Sequence, residues 1–184
     1  MIRPEFRKLL MDQRGAAVIL WSFFTIFIAV YLFIANHVLA NPRFGQGVSF
    51  AATARIVLWA LVLVDLGYYF YWKRRYLIPA AILDEAQKTK LLRALQDYKG
   101  AVEKRAAAVV STYVTRKIVL FAIVEAIAVY GLVLAIAGHY LGDLYLLSAV
   151  SLVLLAFEFP RESGFEDLIR EVEKPTAQLK PQSA

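Results

Sequence analysis

Two carboxylates stand where carboxylates are costly. Asp65 and Glu125 each lie inside a long apolar run of a 184-residue chain. An ionisable side chain inside a transmembrane helix costs roughly 2.5–3.5 kcal/mol on insertion scales. Groups placed there handle protons or cations, meet a partner subunit, or stay protonated and tie helices together by hydrogen bonds. Asp65 precedes Lys73 by eight residues and Glu125 follows Lys117 by eight. If the two runs cross a membrane in opposite directions, both carboxylates lie about 12 Å from the same edge. The spacing puts them at one level and leaves open whether they share a face. No basic residue lies at matching depth in any apolar run, so a partner subunit is the source open for a counter-charge.

Other chemistry is thinly supplied. There is no cysteine, which excludes disulfides, thiolate metal sites and cysteine nucleophiles. The two histidines, His37 and His139, sit at the ends of apolar runs, which speaks against buried haem ligation. His37, His139 and Asp143 fall near one surface, and read as scattered interfacial polar residues rather than a metal site, which needs three or four convergent ligands. No glycine-rich phosphate loop, Gly-x-Ser-x-Gly elbow or His-Glu-x-x-His motif is present. The expectation is no metal, no cofactor and a non-enzymatic role. The net charge of +6 accompanies 60% hydrophobic residues, so it points to anionic lipid at the ends of spans and not to nucleic acid.

The elements that position these residues follow from length. About 20 apolar residues cross about 30 Å of hydrocarbon. Four runs qualify: Gly15–Ala35, about Ile56 to Trp72, Ile118–Gly138, and about Leu141 to Phe159, which stops at Pro160. The first exceeds a signal-peptide core and lacks a clear cleavage site after it, so it reads as a true span. Of the 21 basic residues, 19 fall in the N-terminal tail, the central segment from Lys73 to Lys117, and the C-terminal tail. The positive-inside bias makes those three parts cytoplasmic and turns Asn36–Phe50 and His139–Asp143 outward. The expected fold is all-α and polytopic: an amphipathic tail over 1–14, a transmembrane hairpin over 15–72, a cytoplasmic helical segment over 73–117, a second hairpin over 118–159 and a C-terminal tail over 160–184. Tyr68 to Trp72 sit just before Lys73, where interfacial aromatic rings or a packing surface belong. Glu158, beside Pro160 and Arg161, is expected to reach the interface.

The third run carries a second pattern. Ala128, Gly131, Ala135 and Gly138 form a small-residue stripe suited to close helix packing. The stretch Ala122-Ile-Val-Glu125-Ala-Ile-Ala-Val-Tyr130-Gly131-Leu-Val-Leu-Ala135 resembles the carboxylate-bearing helix of the rotary ATP synthase proteolipid, the c subunit. That family sets an ion-binding Glu or Asp in an alanine-rich helix, followed by a Tyr or Phe and a Gly-Leu-Val-type run. The resemblance covers 14 of 184 residues and implies that Glu125 binds an ion on a helix running outward from the cytoplasm. The chain departs from the family in a second span with Gly67 as its one glycine, and in the 45-residue connection from Lys73 to Lys117. The third and fourth spans also resemble those of small bacterial four-span membrane proteins.

The cytoplasmic segment reads as helix from Pro79 to about Arg116, with Asp84 and Glu85 suited to its first turn and a bend plausible at Gly100. Leu91, Leu95, Tyr98, Val102, Ala106, Val109 and Tyr113 recur at spacings of 4, 3, 4, 4, 3 and 4, the narrow stripe of paired helices. They are candidates for docking a partner. The other reading has the segment fold back on itself or pack on the N-terminal tail. Ile2, Phe6, Leu9 and Leu10 suggest an interfacial helix, and Phe165–Val172 another amphipathic one. The functional expectation is an accessory or scaffolding subunit of a larger membrane complex in the cell's inner (plasma) membrane, with both termini cytoplasmic and with lipid, other subunits or further copies as partners. The alternative is a proton- or cation-handling protein using Glu125 and Asp65. A third reading is a lipid- or quinone-binding enzyme subunit.

Overall fold

A computed structural model describes residues 4–40, 50–88 and 101–173, with side chains over 11–40, 50–86 and 107–170. Its described residues are all-helical: α1 (Pro4–Leu39), α2 (Ala51–Tyr76), α3 (Pro79–Lys88), α4 (Ala101–Gly138), α5 (Leu141–Phe157) and α6 (Glu162–Glu173). Three helices are long and apolar enough to cross a membrane: α1 from Met11, α2, and α4 from Ala107. α5 has 17 residues and reaches that length only together with α6, from which it is bent by 45°.

α4 is the axis. Its 38 residues rise about 57 Å, and α1, α2, α3, α5 and α6 all pack on it. No proline interrupts it, and alanine and leucine, the strongest helix formers, recur along its length. It therefore runs straight through Arg116 and Lys117, where the sequence alone places a boundary between cytoplasmic segment and span. α1 likewise runs unbroken past Arg14 and Gly15, so the N-terminal tail continues the span instead of forming a separate helix.

The two expected hairpins differ. α4 and α5 pack tightly, turning through His139 and Tyr140. His139 adopts φ 59° and its N–H bonds to the Ala135 carbonyl at 2.9 Å. This is the left-handed helix stop that glycine usually supplies and histidine tolerates. The backbones of α1 and α2, by contrast, do not come close to each other among the described residues. α4 lies between them and presents a different side to each. The first pair is therefore not a packed hairpin, because both of its helices find their apolar partner on α4.

The small-residue stripe lies on this axis. Ala128 and Ala135 are fully buried. A Cβ added to Gly131 would stand 3.0 Å from the Leu144 Cα and 3.3 Å from the Leu147 Cβ. One added to Gly138 would collide with the Tyr140 ring and meet the Ala51 Cβ at 3.0 Å.

At the lysine end of the bundle, α3 and α6 close over α4. Pro79 begins α3, where its missing N–H costs nothing. Asp84 and Glu85 lie beyond the first turn, one turn later than the sequence suggests, so they serve side-chain pairing instead of the helix dipole. Ile82 and Ala86 of α3, Phe165, Leu168 and Ile169 of α6 and Ala17 of α1 bury Val109 and Val110 in one cluster, with Tyr113 packed against it.

The Gly131→Leu variant separates α4 from α5, and overpacking of this kind costs about 1–3 kcal/mol. Gly142→Ala, at a helical position with open space around it, does not lower stability. Denaturation in mixed detergent micelles reads the difference; equal midpoints would mean that α4 and α5 do not approach this closely.

Candidate functional site

Glu125 and Asp65 each receive a tyrosine from a neighbouring helix. The Tyr31 hydroxyl, on α1, donates to the Glu125 carboxylate at 2.5 Å. Tyr130, on α4, interacts through its side chain with Asp65 on α2. Glu125 and Tyr130 are five residues apart on one helix, which sets them about 140° apart around its axis. Glu125 thus faces α1 and Tyr130 faces α2, on two sides of α4. The two carboxylates are not bonded to each other and form two sites, not one. Both are half-buried. A carboxylate can accept about four hydrogen bonds, so one tyrosine leaves each with unused capacity.

Glu158 is a third carboxylate and the most enclosed, at 2% exposure. It ends α5 as its C-cap. A negative charge there opposes the helix dipole, so it needs strong compensation. One carboxylate oxygen accepts from the Tyr69 hydroxyl at 2.7 Å and the Lys73 ammonium at 2.6 Å. The other accepts from the Lys117 ammonium. Sequence position next to Pro160 and Arg161 suggested an interfacial residue. The structure instead turns it inward, because α2 and α4 each bring a lysine to the same point. Beside it, the buried Arg116 guanidinium donates to the carbonyls of Tyr76 and Ala81 and to Glu85, closing the corner between α2 and α3. Arg14 joins the Pro160 carbonyl and Glu162, and Trp21 donates to the Leu155 carbonyl at 2.8 Å.

The opposite end has its own pair. Arg55 of α2 makes a two-pronged contact with Asp143 of α5, at 2.7 and 3.0 Å. Its guanidinium also lies 4.6 Å from the centre of the Tyr140 ring. His37 stacks on Phe33, and Tyr145 donates to Asn36 at 2.8 Å. His37, His139 and Asp143 do not assemble into a metal-binding group, nor does any other set of described residues.

Of the candidate docking stripe, Leu91, Leu95 and Tyr98 lie outside the described residues, as do the side chains of Val102 and Ala106. Val109 is buried, and Tyr113 sits edge-on to Phe165 at 5.1 Å between ring centres. These two are covered by α3 and α6 of the same chain. Of the partners of the carboxylates, Tyr31 carried no signal in the sequence; Tyr69, Lys73 and Lys117 read there only as residues at span ends, and Tyr130 only as part of the resemblance. One signal was present for Glu158: it ends an apolar run on the same side as the lysines that end two others.

Glu158→Ala leaves two ammonium groups at one point, with Lys117 nearly enclosed at 11% side-chain exposure. Removing one partner of a buried pair costs on the order of 3 kcal/mol. Adding Lys117→Met to Glu158→Ala restores part of that loss, since the remaining Lys73 is half-exposed and can hydrate. A detergent-unfolding cycle measures this; a double variant weaker than Glu158→Ala alone would contradict the assignment.

No protein-family model, curated protein or solved structure matches the chain, so what it does follows from its own geometry.

Proposed function

We propose that the protein is a four-span membrane protein that serves as a non-catalytic accessory or scaffolding subunit of a larger membrane assembly. Two ionic clusters bracket its apolar middle. Arg55 and Lys73 are 18 residues apart on α2, and Asp143 and Glu158 are 15 apart at the ends of α5. These separations rise about 27 and 22 Å, close to the roughly 30 Å of a hydrocarbon core. On this reading α5 is the fourth crossing and α6 lies outside the hydrocarbon. The charge bias sets the lysine end, both termini, α3 and α6 in the cytoplasm of a plasma-membrane protein. Large apolar side chains stand exposed on α1 and α2, among them Phe23, Phe33, Ile56 and Leu63, as lipid contact requires.

The observation that carries the subunit reading is the incomplete cover of Glu125 and Asp65. Both lie in the apolar middle with one tyrosine each, and lipid tails offer no donors. A helix of another subunit or another copy supplies what is missing. Gentle extraction into nanodiscs followed by native mass measurement should find the chain in a complex, and Glu125→Leu or Asp65→Leu should weaken that complex by about tenfold, the worth of an intramembrane hydrogen bond of about 1–2 kcal/mol. A lone monomer of 20.7 kDa would sink the proposal.

The Tyr31–Glu125 bond at 2.5 Å favours a second reading. A short bond between two ionisable groups in apolar surroundings is a place to hold a proton or exchange it for a cation, the role that the resemblance to the rotary proteolipid implies for Glu125. A carbodiimide then labels Glu125 in a pH-dependent, cation-protected way, and Tyr31→Phe increases labelling. Labelling indifferent to pH and cations counts against it.

A further inference from the structure

Beyond the subunit reading, and resting on its membrane placement, one face of α2 has the make-up of a lipid site. Gly67, Phe70, Tyr71 and Arg74 recur at helical spacing on one side of α2 and, with Arg75, line an open groove of about 430 Å³. The residues by which α2 packs on α4, Val62 and Tyr69, lie on the other side of the helix. All five residues that line the groove belong to α2. Its parts are ordered along the membrane normal. Gly67 is deepest, and a Cβ there would meet nothing within 4 Å, so the missing side chain leaves open space beside the Phe70 and Tyr71 rings. Phe70 and Tyr71 form exposed walls. Arg74 and Arg75 stand at the headgroup end.

Charge decides the ligand. Among the described residues neither Arg74 nor Arg75 pairs with a carboxylate, whereas Lys73, one position earlier, is committed to Glu158. The neighbouring groove at the α2–α3 corner is also lined by Arg75, together with Arg116, Asp84 and Glu85, so its charges balance. The Gly67 groove alone carries net positive charge and an apolar floor. Guanidinium is suited to bidentate contact with phosphate oxygens, and the open apolar space below it suits a hydrocarbon chain. We propose that this face of α2 binds an anionic glycerophospholipid, with its phosphodiester on Arg74 and Arg75 and the first methylenes of an acyl chain against Gly67, Phe70 and Tyr71.

The test uses the full chain in phosphatidylcholine nanodiscs doped with phosphatidylglycerol, with retained lipid counted by native mass spectrometry. The wild type should hold phosphatidylglycerol in preference to phosphatidylcholine. Arg74→Gln and Arg75→Gln should each lower that retention roughly fivefold, from about 1 kcal/mol per basic residue at a lipid surface. Gly67→Leu fills that space, and should lower retention while both arginines remain. Equal retention of the two lipids, or arginine variants that hold phosphatidylglycerol as the wild type does, overturns the site. Release of the lipid by millimolar inorganic phosphate overturns it as well, since the site would then read phosphate alone. A chain that enters nanodiscs yet shows no headgroup preference defeats this site and leaves the membrane reading standing; one that fails to enter defeats both.

Discussion

Glu158 is the point at which α2, α4 and α5 meet. It is nearly inaccessible and ends a helix whose dipole disfavours it. It is tolerable only because Lys73 arrives from α2 and Lys117 from α4, with Tyr69 completing its hydrogen bonds. That requirement fixes the rotation of α2, since Tyr69 and Lys73 must point at the end of α5. It also fixes the register of α4, since Lys117 must stand at the same height. Once that rotation is set, Val62 packs inward, Asp65 turns to Tyr130, and Gly67, Phe70, Tyr71 and Arg74 are left facing away.

Polar groups in the bundle are arranged by what each level can supply. At the lysine end basic residues are near, so a carboxylate is matched by full positive charges. At the other end Arg55 does the same for Asp143. In the apolar middle no such cation is placed; Glu125 accepts from the neutral Tyr31 hydroxyl, and Asp65 has the Tyr130 side chain beside it. A phenol carries its polar atom on a large apolar ring, so it can reach a buried carboxylate without adding a charge to desolvate. Glu158, with three donors of which two are charged, ties three helices together. Glu125 and Asp65 have one tyrosine each, and for that reason they are the residues through which function is proposed.

Much of the architecture was legible in order along the chain. The apolar runs and their flanking charges located three membrane-length helices and the shorter α5, and came within five residues at every end except the starts of α1 and α4. Boundaries at Arg14 and Lys117 were invisible to the structure, because backbone hydrogen bonding does not stop where hydropathy changes: α1 and α4 are single helices across those charges. The hairpin over 15–72 was not legible as packing. Adjacency in sequence suggested that α1 touches α2, but each has a better apolar surface in α4. Val109 and Tyr113 show the same limit: a periodic stripe says that something covers it, and only the fold says that α3 and α6 do.

By itself, then, the sequence determined the helical class, the apolar lengths, the end at which basic residues gather, and the presence of two carboxylates within apolar runs. Those properties are sums and spacings along one chain, and hydropathy and helical periodicity express them directly. The tertiary structure alone decided that Asp65 and Glu125 lie on two sides of α4, that each is met by a tyrosine far away in sequence, and that Glu158 turns inward between two lysines. These depend on how helices rotate about their axes when packed. That rotation is settled by contacts between residues such as Tyr31 and Glu125, 94 positions apart, and no local pattern encodes it.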